Sequence, residues 1–340
     1  MTTLAFPGGD RGDRQSSVML DQYLQPIQLH IDGDITDLVI NRPREFWTKD
    51  RAGWHRHDAP ALTLQHCTAL ATTIASYRGK PLMPILSATL PGGERVQVVT
   101  APACEARTVS ISIRKPSAFD WSLEQLEAAG CFDMCEDLHN DLKPFEHELL
   151  ALKKGRKIRE FLELAVRRHR NIMIAGKTGS GKTTLTRALS RCIQLGERVI
   201  TIEDEHELFM PLHPNKVHLF YGKEEEEGNK VTSAQALASC LRMAPDRIWL
   251  AEIRGPEAWE YIKSISTGHP GSIGTMHANG AYESFDQMIA LIKDSKTGAH
   301  LEVPYIKRRL FSTIDIVLYC DEYKLREIYY DPQFKRESMA

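Results

Sequence analysis

The sequence lacks the features that mark several classes of protein. It contains no uninterrupted apolar run of about 18 residues, the length that a membrane-spanning helix needs. Its 43 basic and 45 acidic side chains nearly cancel, so the net charge of −2 gives no electrostatic reason to expect nucleic-acid binding. Hydrophobic residues make up 42% of the chain, as in ordinary globular proteins. We therefore expect folded soluble domains.

Paired cysteines are missing as well. The seven cysteines are scattered, and Cys131 and Cys135 form the one close pair. A zinc site of four ligands usually needs a second pair, so reduced thiols and a cytoplasmic location are expected. The first 17 residues contain no apolar core and do not indicate a secretory signal. Residues 1–20 are predicted to form a flexible tail.

What the sequence does contain is a phosphate-binding loop. The stretch from Gly176 to Thr184 reads G-K-T-G-S-G-K-T-T and satisfies the pattern G-x-x-x-x-G-K-[ST]. An apolar run precedes it and an apolar stripe at helical spacing follows it. When a glycine-rich turn joins a strand to a helix, the backbone N–H groups of the turn and of the helix N-terminus point at the phosphate oxygens of a ligand. The predicted nucleotide-binding residues are Gly176, Lys177, Thr178, Gly179, Ser180, Gly181, Lys182, Thr183 and Thr184.

Two residues of the loop have distinct predicted roles. Lys182 is expected to reach the β- and γ-phosphates of a nucleoside triphosphate. The hydroxyl of Thr183 is expected to bind Mg²⁺. The sequence therefore predicts ATP and Mg²⁺ as substrate and cofactor.

The chain changes its pattern near its middle. Before residue 140, short alternating strands and a helix over residues 62–77 indicate an α+β unit with a small antiparallel sheet. From residue 170 onwards, strands and helices alternate, which is typical of an α/β domain with a parallel-rich sheet. We predict an N-terminal domain over residues 21–140, a linker over residues 141–155 and an ATPase domain over residues 156–340.

Acidic residues end two further predicted strands. Glu203 and Asp204 end the strand over residues 198–203, and Glu252 ends the strand over residues 247–252. Ligands of open parallel sheets bind outside the carboxyl ends of the strands. A carboxylate near the γ-phosphate can hold the attacking water in line and accept its proton. Glu203 and Glu252 are both candidates for this role.

Each of these candidates has a simpler alternative. Glu252 could form a salt bridge to Arg254 or Arg247, and Glu203 could belong to a local ion network after its strand. His277 follows another apolar strand and could sense the γ-phosphate through a hydrogen bond, or it could be satisfied by backbone groups. The residues alone leave these alternatives open.

The order of the motifs resembles the secretion-superfamily traffic ATPases, and within them the VirB11 type of type IV secretion systems. After the phosphate loop come T-I-E-D at 201–204, L-R-M-A-P-D-R-I-W-L-A-E-I-R-G at 241–255, T-G-H at 267–269 and M-H-A at 276–278. The N-terminal half agrees through I-T-D at 35–37, L-P-G-G-E-R at 90–95 and S-I-R-K-P-S at 112–117. The resemblance covers roughly residues 30–335.

The resemblance implies a homohexameric ring of N-terminal α+β domains and C-terminal RecA-like domains, with ATP between the domains. It implies Mg²⁺-dependent ATP hydrolysis that powers conjugative DNA or protein transfer or pilus assembly. The implied partners are other type IV secretion ATPases and inner-membrane components. The implied location is peripheral, at the cytoplasmic face of the bacterial inner membrane.

The resemblance also implies roles for single residues. Arg95 and Arg114 match the N-domain arginines that face the γ-phosphate, where forked guanidinium hydrogen bonds suit the task. Glu203 falls in the Asp box, and His277 falls in the His box. Glu252 falls in the Walker B strand and would reach Mg²⁺ through water. Ala244 departs from the basic residue that relatives often carry.

Two alternatives remain. One is a type IV pilus assembly or retraction ATPase of the same superfamily. The other is a RecA-like nucleic-acid translocase, which the near-neutral charge disfavours. The absence of C-x-x-C pairs disfavours the type II secretion ATPases, which usually carry a four-cysteine zinc module.

Overall fold

The chain divides into two compact units, and each is described by itself. The computed structural model describes residues 11–116, 121–137, 140–222 and 231–338. One unit comprises Met1–Pro116 with Val217–Ala244, and the other comprises Ser117–Lys216 with Pro245–Ala340. This division differs from the predicted one, because a segment of the expected ATPase domain returns to the first unit. Among the described residues, none of the helices combines the length and hydropathy needed to cross a bilayer.

The first unit is built on an antiparallel sheet whose strand order is β3-β2-β1-β6-β5-β4. Helices α1 and α2 contribute to one apolar core with strands of this sheet, through residues such as Ile27, Ile74 and Ile111. The elements in chain order are α1 (Arg11–Asp32), β1 (Asp37–Ile40), β2 (Glu45–Asp50), β3 (Gly53–Asp58), α2 (Leu64–Tyr77), β4 (Ile85–Thr89), β5 (Arg95–Thr100) and β6 (Val109–Arg114). The predicted α+β unit with a small antiparallel sheet is therefore confirmed.

Helix α1 occupies part of the sequence that was expected to be a flexible tail. Residues 11–20 belong to this helix, while residues 1–10 lie outside the described part of the chain. The physical reason is a helical apolar stripe, because Leu20, Leu24, Ile27 and Ile31 are spaced by four, three and four residues and are all buried. That stripe starts inside the expected tail and anchors it to the core.

The second unit begins with helices and the first strands of a parallel-rich sheet. Its elements up to the end of the second strand are α3 (Leu123–Ala128), α4 (Pro144–Lys154), α5 (Ile158–Arg167), β7 (Ile172–Gly176), α6 (Lys182–Ser190) and β8 (Val199–Glu203). Helix α4 lies where a linker was predicted. Pro144 begins it, the Glu146 carboxylate accepts a hydrogen bond from the Lys143 N–H at 2.8 Å, and Leu149 is fully buried.

The rest of the chain completes the sheet. Two elements, β9 (Lys216–Phe220) and α7 (Ser233–Cys240), lie in the segment that returns to the first unit, apart from the first residue of β9. The remaining elements of the second unit are β10 (Arg247–Ile253), α8 (Glu257–Ser266), β11 (Ile273–Met276), α9 (Glu283–Lys293), α10 (Val303–Thr313), β12 (Ile316–Asp321), β13 (Lys324–Tyr330) and α11 (Pro332–Glu337). Within this unit the strand order is β13-β12-β7-β11-β10-β8. Strands β12, β7, β11, β10 and β8 are parallel, and β13 pairs antiparallel with β12. The carboxyl ends of β7, β8, β10 and β11 therefore lie at one edge of the sheet.

Asn171 joins three strands at the opposite edge of the sheet, where the amino ends of the strands lie. Its Oδ1 accepts hydrogen bonds from the N–H groups of Gly271 and Ser272 at 3.0 and 3.1 Å, just before β11. Its Nδ2 donates to the Thr313 carbonyl at 2.9 Å, and its own N–H donates to Asp315 at 2.7 Å, just before β12. Because Asn171 itself precedes β7, one buried amide fixes the relative register of three neighbouring strands.

Candidate active site

The loop between β7 and α6 is a tight glycine turn. Gly176, Gly179 and Gly181 have φ angles of 153°, 73° and 95°, a region that favours glycine. A Cβ atom on Gly176 would lie 2.3 Å from the Cys320 carbonyl oxygen, so there is no room for a side chain. Strand, turn and helix follow one another as the sequence predicts. Lys177, Thr178, Gly179 and Thr184 are exposed on this loop, while Ser180 is buried.

Lys182 is folded back onto its own loop. Its Nζ donates hydrogen bonds to the carbonyl oxygens of Gly176 at 2.8 Å and Lys177 at 2.9 Å. Burial lowers the pKa of Lys182 below its ordinary value, and the negative charge of Glu252 opposes that shift. A cation that is held by neutral carbonyls in a partly desolvated loop can exchange those carbonyls for phosphate oxygens.

Thr183 is in contact with a carboxylate that sequence reasoning missed. Its hydroxyl donates to Glu207 Oε2 at 3.0 Å. Arg187 Nε donates to the backbone carbonyl of Glu207 at 2.6 Å, which holds this residue beside α6. A hydroxyl beside a carboxylate is an all-oxygen donor set, which is what Mg²⁺ prefers. The acidic run that follows β8 was the available signal for Glu207.

Glu252 is part of a chain of charges at the carboxyl end of β10. Arg254 forms ion pairs with both Asp204 and Glu252, which raises the pKa of its guanidinium. His277 Nε2 lies 2.5 Å from the other oxygen of Glu252. The Glu252 side chain remains 15% exposed. Of the two salt bridges considered for Glu252, the one to Arg254 forms, whereas Arg247 is buried and pairs with Glu197.

Glu203 has a different environment. It is fully buried. Its carboxylate accepts hydrogen bonds from the Thr201 hydroxyl at 2.5 Å and from the N–H groups of Glu207 and Leu208, both at 2.8 Å. Glu203 thereby fixes the backbone of the segment that carries Glu207. The two candidate carboxylates lie on neighbouring parallel strands, in the register that pairs Leu250 with Ile202.

His277 follows β11 and is brought to the same edge of the sheet. Its side chain is 46% exposed, so it is open to a ligand as well as to Glu252. The structure therefore brings Lys182, Glu252 and His277 together around the phosphate loop, as the order of the strands requires.

Arg95 and Arg114 belong to the first unit. They are directly opposite each other on β5 and β6, so their side chains leave the same face of the sheet. Both are exposed, and Arg114 Nε lies 3.9 Å from Asp37. They line a cavity of about 310 Å³ together with two arginines that carried no sequence signal, Arg78 and Arg242. Four guanidinium groups around one cavity suit an anionic ligand.

Ala244, the position at which the sequence departs from the family pattern, has a φ of 52°. This left-handed conformation is uncommon for a residue with a Cβ atom. The small side chain that stands there makes no charged contact.

Comparisons with known proteins agree with this arrangement. The family model described as "Type II/IV secretion system protein" matches residues 141–318. A type IV secretion system protein VirB11 of Bartonella quintana is 43% identical over 335 residues, which cover 93% of this chain and 94% of the relative. The type IV secretion system protein PtlH of Bordetella pertussis is 40% identical over 311 residues, which cover 90% of this chain and 91% of that protein.

A solved structure is similar over both units. The crystal structure of the VirB11 ATPase from the Brucella suis type IV secretion system, in complex with sulphate, matches with a TM-score of 0.91 and 38% sequence identity. The match covers 97% of this chain and 99% of that one. From its phosphate loop, its two-sheet architecture and these matches, the chain belongs to the type II/IV secretion system protein family, as a VirB11-type ATPase.

Proposed function

We propose that the protein hydrolyses ATP in the presence of Mg²⁺ and that this hydrolysis powers a type IV secretion system, in conjugative DNA transfer, protein transfer or pilus assembly. The observation that carries the proposal is the convergence of Lys182, Glu252 and His277 at one edge of the parallel sheet, beside the glycine loop.

In the proposed mechanism, the backbone N–H groups from Gly176 to Thr184 bind the phosphate chain, and Lys182 moves from its loop carbonyls to the β- and γ-phosphate oxygens. The oxygen of a water molecule attacks the γ-phosphorus in line, and the bond from the γ-phosphorus to the β–γ bridging oxygen breaks. ADP leaves with that oxygen, and the proton of the water passes to a nearby carboxylate or phosphate oxygen. Lys182 compensates the negative charge that this transfer spreads over the phosphate oxygens.

Glu252 is the proposed water-positioning residue. Its carboxylate lies beside Arg254 and His277 at the carboxyl end of β10, where it can hold the water by a hydrogen bond and accept its proton. A loose phosphoryl-transfer transition state needs little more than that positioning. Glu203 is less suited, because its carboxylate already accepts three hydrogen bonds from neighbouring donors.

Thr183 and Glu207 would hold Mg²⁺ directly, and Glu252 would contact the ion through a water molecule. The bound ion would neutralise phosphate charge. Arg95 and Arg114 are proposed to act on the γ-phosphate. Their shared face and the cationic cavity support a phosphate ligand for that surface.

We further propose a homohexameric assembly at the cytoplasmic face of the inner membrane, with other secretion ATPases and inner-membrane components as partners. Light scattering with Mg²⁺ and a non-hydrolysable ATP analogue tests the assembly. A particle of six times 38.5 kDa, with specific activity that rises as it forms, is expected. A monomer that is fully active at every concentration contradicts the ring.

The test of the catalytic proposal is Lys182→Ala. Loss of the Lys182 ammonium group should reduce turnover by at least about 100-fold, by analogy with other groups that stabilise transition-state charge. Circular dichroism should show an unchanged fold. Lys263→Ala is the matched control, because Lys263 is a partly exposed lysine of α8 that pairs with Glu260. Wild-type turnover in the Lys182 variant would refute the assignment.

A further inference from the structure

The turn between β12 and β13 is attached to the phosphate loop. It is a two-residue hairpin turn, Glu322-Tyr323, because Asp321 pairs with Lys324 across it. The backbone N–H of Tyr323 donates a hydrogen bond to the Ser180 carbonyl at 3.1 Å. On the same side, a Cβ atom on Gly181 would meet Tyr323 Cα at 3.3 Å. The hairpin and the loop therefore hold each other in place.

The turn uses residues that suit it poorly. Glu322 and Tyr323 have φ angles of 50° and 59°, and a turn with two positive φ angles favours Asn or Gly at both positions. A bulky aromatic residue in this conformation costs free energy that a glycine would avoid. Turn geometry alone does not account for tyrosine at this position.

The Tyr323 ring is exposed to solvent beside the phosphate loop. Tyr323 is 78% exposed, although its Cδ1 is only 3.3 Å from the position of a Cβ on Gly181. Gly181 is the N-cap of α6, the end of the helix at which the loop binds phosphate. A largely exposed planar ring thus lies beside the phosphate loop.

We propose that Tyr323 is a nucleobase-stacking residue, whose ring forms one wall of the subsite for the base of the bound nucleotide. The inference rests on the proposed ATPase function and adds the part of the site that recognises the nucleoside. Phosphates that occupy the loop leave the ribose and base outside the N-terminus of α6, where the ring is available. Stacking on an aromatic ring is a sequence-tolerant way to bind a base, because every base has a π-face.

The experiment compares two ligands in four proteins by calorimetric titration with Mg²⁺. The ligands are a non-hydrolysable ATP analogue and inorganic tripolyphosphate, which has the phosphate chain without the nucleoside. The proteins are the wild type, Tyr323→Asn, Tyr323→Phe and Glu322→Asn. Asparagine tolerates the left-handed conformation, so Tyr323→Asn removes the ring without straining the turn. Glu322→Asn is the matched control, because it alters the same turn and leaves the ring.

Tyr323→Asn should weaken binding of the ATP analogue by about tenfold, within the range known for single base–aromatic stacks. Its tripolyphosphate affinity should stay within about twofold of wild type, and Tyr323→Phe and Glu322→Asn should bind both ligands like the wild type. Equal loss of both ligands in Tyr323→Asn would show that the residue acts through the loop backbone and would overturn the stacking proposal.

Two further outcomes separate this inference from the proposed function. If the wild type binds the ATP analogue and Tyr323→Asn binds it equally well, the stacking proposal fails and the ATPase proposal stands. If the wild type binds neither ligand, both proposals fail.

Discussion

Glu203 and Glu252 end neighbouring parallel strands of one sheet, yet their carboxylates have different partners. Glu203 is fully buried and accepts hydrogen bonds from a hydroxyl and two backbone N–H groups. Glu252 is partly exposed and faces Arg254 and His277. Neutral, fixed donors make the first carboxylate a part of the framework. The side chains of Arg254 and His277 can rotate, so the carboxylate of Glu252 can change partners when a ligand arrives.

The difference shows that position at a strand end does not decide chemical role. Both acids satisfy the expectation that ligands bind outside the carboxyl ends of parallel strands. The choice between them depends on which donors surround each carboxylate, and those donors come from distant parts of the chain. Removing one carboxylate charge at a time tests whether the two acids differ in role.

The largest effect is expected from Glu252→Gln. Loss of the carboxylate should reduce turnover by about 100- to 10,000-fold, the range for a positioned general base, while nucleotide binding persists. Steady-state rates with a parallel titration of the ATP analogue measure both. Glu260→Gln serves as the control and should retain wild-type turnover, because Glu260 is a partly exposed acid of α8 that pairs with Lys263. Undiminished turnover in Glu252→Gln would remove this residue from the mechanism.

A third paired carboxylate, Glu197 before β8, should give the next largest effect, on stability. Burial alone would raise its pKa, but hydrogen bonds and charges from His169 and Arg247 outweigh burial and hold the pKa at about 2, against an ordinary 4.5. A depressed pKa stabilises the folded state above the unfolded-state value. That contribution, roughly 3 kcal/mol, is lost as the pH falls from about 4.5 to 2.

Denaturant unfolding between pH 7 and pH 2 measures this contribution. Glu197→Gln should flatten the acid limb of the stability curve, even if the variant is less stable at pH 7. An acid limb as steep as that of the wild type would mean that other carboxylates cause the loss.

The smallest of the three effects is expected from Glu203→Gln, again on stability. Glutamine has one acceptor oxygen instead of two and lacks the negative charge that strengthens these hydrogen bonds, a change that should cost about 1–3 kcal/mol. Thermal unfolding should show the loss, and Glu252→Gln should change the midpoint much less. If Glu203→Gln kept wild-type stability and lost turnover as severely as Glu252→Gln, the roles of the two acids would be reversed.

The local parts of the site could be predicted from the sequence. A phosphate loop is a contiguous sequence pattern, and the spacing of its glycines determines the backbone geometry. Gly176, Gly181 and Lys182 therefore lie in the turn between β7 and α6, as the pattern predicts. The strands that end at Glu203 and Glu252 were predicted for the same reason, because each is a short apolar run that ends in acid.

The parts that depend on contacts between distant residues could not be predicted. Neither the Thr183–Glu207 hydrogen bond nor the docking of Tyr323 on Ser180 has a sequence pattern, because each joins elements that only the folded sheet brings together. The extent of helix α1 was missed for a different reason. Its apolar stripe begins inside a polar, glycine-containing N-terminus, and composition there outweighed periodicity.

The buried amide of Asn171 has a consequence for motion during turnover. Because it ties β7, β11 and β12 together where the strands begin, and the strands also pair along their lengths, we expect them to move together. The distance between Gly176 at the end of β7 and His277 after β11 is then nearly constant through a catalytic cycle. Rearrangement within this unit falls to side chains such as Lys182 and Arg254, so a nucleotide would be sensed by rotamer changes against a stationary backbone.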